Sequence, residues 1–219
     1  MQGPRESSPK PRRTPRLGGT DRLVPPTSPA TTADRILDVA ERLVQVHGFN
    51  AFSYADIAAE LGIRKASLHH HFPTKAGLGT AVITRYHERF GEALAEIQGS
   101  TEDANARLQA YVRLYGKVLR NKRMCLCGVL AADFETLPRP MRDGVLSFFA
   151  LNEEWLTRVL EEGRQVGAVR FEGPPTRIAA FLVSSLEGAM LLARSYGKIS
   201  RFEAVAKKLL GDLAGGGES

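Results

Sequence analysis

The chain has 219 residues and a formal net charge of +6, and its composition is that of a globular protein with a buried core. This length allows a small domain plus one larger domain. No signal peptide and no long uninterrupted apolar run are found, so we expect a soluble, cytoplasmic protein that makes no membrane contact. Two cysteines only, Cys125 and Cys127, exclude a disulfide framework.

Residues 1–30 differ in composition from the rest of the chain. They are rich in Pro, Ser and Arg and nearly lack large apolar side chains, which predicts a disordered arm. Basic residues outnumber acidic ones there by six to two. Two interpretations stay open, a basic arm that adds phosphate or minor-groove contacts to bound DNA, and a leader segment without such a role.

The first predicted helix begins after Thr31. Thr31 with Asp34 three residues later is a capping box, and an apolar stripe at helical spacing follows it. Gly48 ends this helix. We expect it to supply part of a small core that supports the next two helices.

The stretch 53–75 (SYADIAAELGIRKASLHHHFPTK) contains two short helices. Ser53 with Asp56 is a second capping box, and Gly62 is placed to stop the helix that it opens. A further helix begins near Lys65 and ends before Pro73, which disfavours helical backbone in the preceding residue. A helix, a Gly-containing turn and a short helix form the helix-turn-helix pattern.

The second helix of this pair displays hydrogen-bond donors and excludes acids. No carboxylate lies between Arg64 and Lys75, which suits a surface lined with phosphates and base acceptors. An ordinary surface hairpin is the alternative. Three consecutive histidines point in different directions around a helix, so we expect no metal site. The donors are Arg64, Lys65, Ser67, His69, His70 and His71.

The remaining chain also reads as helical, which predicts an all-α fold. Thr74 caps a long fourth helix, Pro174 and Pro175 introduce the eighth, and Ser200 with Glu203 is a capping box for the ninth. Between them lie a fifth helix at 103–120, a short apolar sixth helix and a long seventh helix.

Cys125 and Cys127 allow two interpretations. Their CxC spacing puts them on different faces of a helix, so a mutual disulfide would be strained. We expect Cys127 to be a small core residue and leave Cys125 open. The alternative is a redox or electrophile sensor, because Lys122 and Arg123 just upstream would favour the thiolate.

Residues 33–86 resemble the DNA-binding domain of the TetR family of transcriptional regulators. The resemblance rests on HGF at 47–49, SYADIAAELGI at 53–63 and SLHHHFPTKAGL at 67–78. It implies a DNA-binding domain at 31–80 and a helical effector-binding and dimerisation domain at 81–214. The DNA-binding residues that it implies are Ser53, Tyr54, Arg64, Lys65, Ala66, Ser67, His69, His70, His71 and Lys75.

The resemblance also implies an effector pocket lined by helices four to eight and a dimer interface built by helices eight and nine. Expected pocket residues are Tyr111, Tyr115, Cys127, Phe134, Phe148, Asn152, Trp155 and Glu187. Expected interface residues are Phe181, Ser184, Ser185, Gly188, Leu192, Phe202, Val205 and Leu209.

The function expected from these features is that of a homodimeric, ligand-responsive repressor. It would bind a palindromic double-stranded DNA operator and be released by a small-molecule effector of unknown identity. A thiol-sensing regulator that uses Cys125 and Cys127 is the alternative. No catalytic motif, cofactor fingerprint or metal-binding motif is present, so we expect neither an enzyme nor a cofactor.

Overall fold

The computed structural model describes residues 31–215, and the predicted basic arm lies outside the described part. The all-α prediction is confirmed, because the described residues contain helices and no strand. Two short 3-10 turns occur, Phe49–Ala51 and Phe134–Thr136. The α-helices are α1 (Thr32–His47), α2 (Tyr54–Leu61), α3 (Lys65–His71), α4 (Lys75–Ser100), α5 (Ala104–Arg120), α6 (Leu126–Ala132), α7 (Arg139–Gln165), α8 (Pro175–Ser195) and α9 (Ser200–Leu213).

Side chains cap several of the predicted helix starts. Thr31 Oγ1 accepts a hydrogen bond from the Asp34 amide at 3.1 Å, and the Asp34 carboxylate accepts one from the Thr31 amide at 3.0 Å. Thr74 caps α4 in the predicted way. The predicted capping box at Ser200 is wrong. The residue before α9 is Ile199, whose backbone is already helical, so the extended conformation that an N-cap needs is missing.

Ion pairs hold α1 against α4. Arg85 on α4 lies 2.9 Å from Asp38 and 3.1 Å from Glu41, both on α1. Its guanidinium also donates to the Asp34 carbonyl oxygen. Arg85 and Glu41 are largely shielded from solvent, and this shielding strengthens their attraction relative to an exposed pair. The first helix is therefore fixed to the long α4, which spans ~39 Å at 1.5 Å per residue.

Glycines let α4 and α7 cross closely. A Cβ atom at Gly79 of α4 would lie 2.7 Å from Met141 of α7 and from Phe49, and one at Gly144 of α7 would lie 2.8 Å from Ile83. Real Cβ atoms do not approach other heavy atoms that closely, so larger residues would force the helices apart. α7 packs in turn on α8, and α8 on α9.

α8 is long and apolar enough, by length and composition, to cross a membrane. Of its apolar stretch, 39% is buried inside the chain; the helix packs against α7 and α9, with Leu186 and Met190 almost fully shielded. A core helix has the same length and composition, so these properties agree with its place in the helical core.

Candidate DNA-binding surface and ligand sites

The predicted capping box at the start of α2 is confirmed. The Ser53 amide donates to the Asp56 carboxylate at 2.7 Å, and the Ser53 hydroxyl donates to it at 2.9 Å. These hydrogen bonds with Ser53 lower the pKa of Asp56. Gly62 has φ +65° and ψ 31°, the left-handed conformation predicted for the helix end. The turn thus sets the angle between α2 and α3.

α3 is anchored by Leu68, which is fully buried. Residues two positions away on a helix lie about 200° around its axis, so Ala66 and His70 point away from the core. Both are exposed, as is Lys65 at the start of the helix, whereas Ser67 is half-buried. The outward face of α3 therefore offers donors and a small side chain that lets DNA approach closely.

Tyr54 and His69 support α3 from the side. The Tyr54 hydroxyl donates to the Phe72 carbonyl oxygen at 2.7 Å, and its side chain is buried. The His69 ring lies against the Tyr54 ring, with 4.8 Å between ring centroids. One edge of His69 is thus occupied within the chain, and the exposed His70 lies nearer the centre of the outward face.

Lys75 has an internal role at the start of α4. Its ammonium group donates to the Phe52 carbonyl oxygen at 2.5 Å. The same group lies 4.8 Å from the Phe49 ring centroid and 4.5 Å from that of Phe52. Burial lowers its pKa, against the opposite effect of Asp56. Lys75 therefore ties α4 to the 3-10 turn that precedes the helix-turn-helix.

Five of the expected pocket residues form one buried group, here called the tyrosine cluster. Tyr111 and Tyr115 hydroxyls lie 3.1 Å apart, and that of Tyr111 donates to Asn152 Oδ1 at 2.8 Å. The Asn152 amide donates to the Phe148 carbonyl oxygen at 2.7 Å, and Trp155 stacks on Tyr111. Burial raises the pKa of both tyrosines. The tyrosine hydroxyls and the Asn152 amide are thus hydrogen-bonded within the cluster, whereas Trp155 Nε1 is buried without a partner among the described residues, and the cluster is closed to solvent.

Phe134 lies apart from this cluster, and its expected place in an effector pocket stays a prediction. The chain leaves α6 at Asp133, and Phe134 falls in the second 3-10 turn, half-buried beside the Arg142 guanidinium. Its ring therefore packs on a cation from α7 instead of on the tyrosines.

Both cysteines are buried at the start of α6. Cys125 is 1% exposed and Cys127 is 0% exposed. Burial raises the pKa of both thiols, which opposes formation of the reactive thiolate. The expectation that Cys127 packs in the core is confirmed, and the thiol-sensing alternative is not favoured.

A cavity of about 620 Å³ lies where the end of α1 meets α6 and the second half of α8. We call it the junction cavity. Its wall includes His47, Gly128, Asp133, Glu187 and Arg194. It connects the helix that supports the helix-turn-helix with two helices of the C-terminal part.

Arg194 fastens α8 to the end of α1. Its guanidinium donates to the Gln45 carbonyl oxygen at 2.8 Å and also to that of Val46. A cation at a helix C-terminus satisfies free carbonyl groups and opposes the helix dipole. Sequence reasoning missed this link, since the partners are 149 and 148 residues apart.

Glu187 is the expected pocket residue that reaches the junction cavity. Both of its carboxylate oxygens are buried, and no N–H or O–H group of the described residues donates to them. Burial raises its pKa to about 7, with the Cys125 thiol acting in the opposite direction. A buried carboxyl group whose neighbouring donor is a thiol is unusual, because most buried polar groups have strong hydrogen-bond partners.

An apolar surface lies on α8 and α9. The exposed residues expected at an interface are Phe181, Leu192 and Val205, with relative exposures of 57%, 54% and 37%. Ser184 and Gly188 are also exposed and Ser185 is half-buried. Leu191 and Tyr196 extend the surface.

Phe202 and Leu209 do not belong to this exposed surface, contrary to the prediction. Both are buried within the chain, because α9 turns this stripe towards α5 and α8. They contribute to the folding of one chain, and Val205 is the expected interface residue of α9 that remains exposed.

Two family models match the chain. Bacterial regulatory proteins of the tetR family match at residues 36–82, and the tetracyclin repressor-like C-terminal domain matches at 104–209. The HTH-type transcriptional repressor NemR of Escherichia coli K12 is 30% identical over 189 residues, which cover 81% of this chain and 90% of NemR.

Solved structures show the same fold. A TetR transcriptional regulator from Legionella pneumophila has a TM-score of 0.77 and 34% identity, covering 84% of this chain and 97% of its own. A TetR-family regulator from Agrobacterium tumefaciens has a TM-score of 0.81 and 33% identity, covering 83% and 97%. These relatives are transcriptional regulators, and the helix-turn-helix described above has the geometry for the same role. The chain belongs to the TetR family of ligand-responsive, DNA-binding transcriptional regulators.

Proposed function

We propose that the chain acts in the cytoplasm as a homodimeric repressor that binds a palindromic operator and leaves it when a small molecule binds. The observation that carries the DNA-binding part is the outward face of α3. Lys65 and His70 are exposed there, no acid lies on the helix, and Leu68 fixes the helix to the core. Such a face can enter a major groove and donate to base edges and phosphates.

Two chains are needed to read two half-sites. The exposed side chains of Phe181, Leu192 and Val205 support a symmetric interface through α8 and α9. Contiguous exposed apolar surface of this kind is typical of protein interfaces. Two-fold symmetry would then place two copies of α3 in successive major grooves.

The effector would act through contacts that differ between the DNA-bound and released states. α4 runs from the helix-turn-helix into the C-terminal part, and Arg194 joins α8 to α1. Movement of the C-terminal helices on ligand binding would therefore reach α3 by two routes. The boundary at residue 80 between the DNA-binding domain and the effector-binding domain remains a prediction.

A reporter experiment tests the proposal. Duplexes that the full chain selects from a random pool are placed at a promoter, and expression is measured with and without the protein. We expect repression by the wild type, loss of repression by the Lys65→Ala/His70→Ala double variant, and full repression by Lys117→Ala, which removes an exposed charge on α5. Activation by the wild type, or repression by the double variant, would contradict it.

A further inference from the structure

The carboxyl group of Glu187 has no N–H or O–H donor among the described residues, and its neighbouring donor is the weakly donating Cys125 thiol. Its two carboxylate oxygens are shielded from solvent and accept no hydrogen bond from a nitrogen or oxygen donor of the described chain. An unpaired carboxylate in such surroundings is costly, and most buried polar groups in proteins are paired. The carboxylate thus keeps acceptor capacity for a ligand that enters beside it and brings stronger donors.

The chain leaves space for this carboxylate. A Cβ atom at Gly128 of α6 would overlap Glu187 Oε2, so a side chain at position 128 would push the carboxylate from its place. Glu187 and Gly128 both lie in the wall of the junction cavity. The carboxylate is therefore held between α6 and α8, directly behind the wall of the junction cavity.

The other groups around the junction cavity define the ligand that fits it. Val129, Phe149 and Leu191 supply apolar wall. Asp133 adds a second carboxylate, which lies beside Gly48. A Cβ atom built on Gly48 would be 3.6 Å from Asp133 Oδ2. The arginine in the cavity wall, Arg194, already donates hydrogen bonds to carbonyl groups of α1.

We propose that the junction cavity binds a small organic cation, an amine with an apolar body, whose ammonium group pairs with Glu187. The ammonium group would supply the donors and the positive charge that Glu187 lacks, and the apolar body would lie against Val129 and Phe149. The volume of about 620 Å³ is that of a small-molecule site. The described residues contain no group of three or more metal-ligating side chains, which favours an organic cation over a metal ion.

Such a ligand would touch α1, α6 and α8 together. His47 at the end of α1 belongs to the wall, so an occupied cavity would change the packing between α1 and α8. This consequence rests on the proposed function as a ligand-released repressor. Amine binding itself is measured without DNA, and the two claims can therefore fail separately.

The test compares two molecules of the same shape. Calorimetry of the full wild-type chain at pH 8 is carried out with 2-phenylethylamine, which is protonated at that pH in the same way as lysine, and with neutral 2-phenylethanol. We expect the amine to bind at least about ten-fold more tightly, the effect of one charged hydrogen bond. Glu187→Gln should remove this preference, and Glu161→Gln, exposed on α7, should retain it.

Equal affinity for the two molecules, no saturable amine binding at millimolar concentration, or an amine preference that persists in Glu187→Gln would overturn the proposal. A crystal structure of the wild-type chain with the amine gives a second answer that needs no variant. The ammonium nitrogen should lie about 3 Å from a Glu187 oxygen, and a nitrogen bound elsewhere would refute the assignment.

Operator release is then measured with the same amine. Release by the amine from the wild type, and its loss in Glu187→Gln, would support an effector role for the junction cavity. Amine binding that depends on Glu187 but leaves operator affinity unchanged would contradict the effector role while supporting the site.

Discussion

At the scale of single residues, the carboxyl group of Glu187 makes stability depend on pH. Its pKa is about 7 in the folded chain against an ordinary value of 4.5, so the folded state retains a proton that the unfolded state has lost between these values. Stability therefore falls as the pH rises from 4.5 to 7, and the loss is complete above pH 7.

Glu187→Gln should remove this pH-dependent loss. The free energy of unfolding of the variant minus that of the wild type should be higher at pH 8 than at pH 4.5, by up to ~3 kcal/mol. The reason is that each pKa unit corresponds to about 1.4 kcal/mol. Denaturant titrations at both pH values measure this change, with Glu161→Gln as the control. A difference between variant and wild type that is the same at both pH values would contradict the burial of an ionising carboxyl group.

Local contacts of single residues were predictable from the sequence, and distant ones were not. Ser53 and Asp56 are three residues apart, so their capping box follows from spacing alone. Tyr54 bonds to the Phe72 carbonyl 18 residues away, and Lys75 to that of Phe52 23 residues away. Sequence resemblance placed both side chains at the DNA, but only the fold shows that they also brace the helix-turn-helix.

At the scale of elements, we expect different residues of α3 to contact the DNA bases and the DNA phosphates. We expect His70→Ala to change the preference among single-base operator variants, because His70 lies at the centre of the outward face. Lys65→Ala, at the edge of that face, should weaken binding by a similar factor for all variants.

Binding of each α3 variant to a full set of single-base operator variants makes this comparison. Lys117→Ala, which removes an exposed charge on α5, serves as the control and should leave the preference profile unchanged. An unaltered profile for His70→Ala would show that His70 does not face the bases.

α8 should carry the dimer contact. Leu192→Glu places a charge in the exposed apolar surface, and an unpaired charge buried at an interface is strongly unfavourable. We expect the variant to be monomeric and to bind the operator weakly, as measured by analytical ultracentrifugation and DNA titration. Val166→Glu adds the same charge at an exposed apolar position outside α8 and should stay dimeric. A dimeric Leu192→Glu variant would place the interface elsewhere.

The apolar periodicity of α8 and α9 did not separate core from interface. Phe181 and Phe202 have the same chemistry, yet Phe181 is exposed and Phe202 is buried. The two stripes differ only in what the neighbouring helices cover, which is a property of tertiary packing. Periodicity therefore predicted the helices, and the structure was needed to assign their faces.

At the scale of the whole molecule, the arrangement explains how a ligand signal can reach DNA. Arg85 fixes α1 to α4, and Arg194 fixes α1 to α8. The helix that supports the helix-turn-helix is thus held from two sides by the part of the chain that contains the junction cavity. Neither link could be predicted from the sequence, because each joins helices that are distant along the chain.

The most direct test of the account is a hydroxyl-radical footprint of the full chain on a duplex recovered by selection, combined with the mass of the complex. We expect a palindromic site, two protected regions whose centres lie ~34–36 Å apart along the helix axis, and two chains or a multiple of two on the DNA. Protection of a single non-palindromic half-site by one chain would contradict the account of a two-fold repressor that reads DNA through α3.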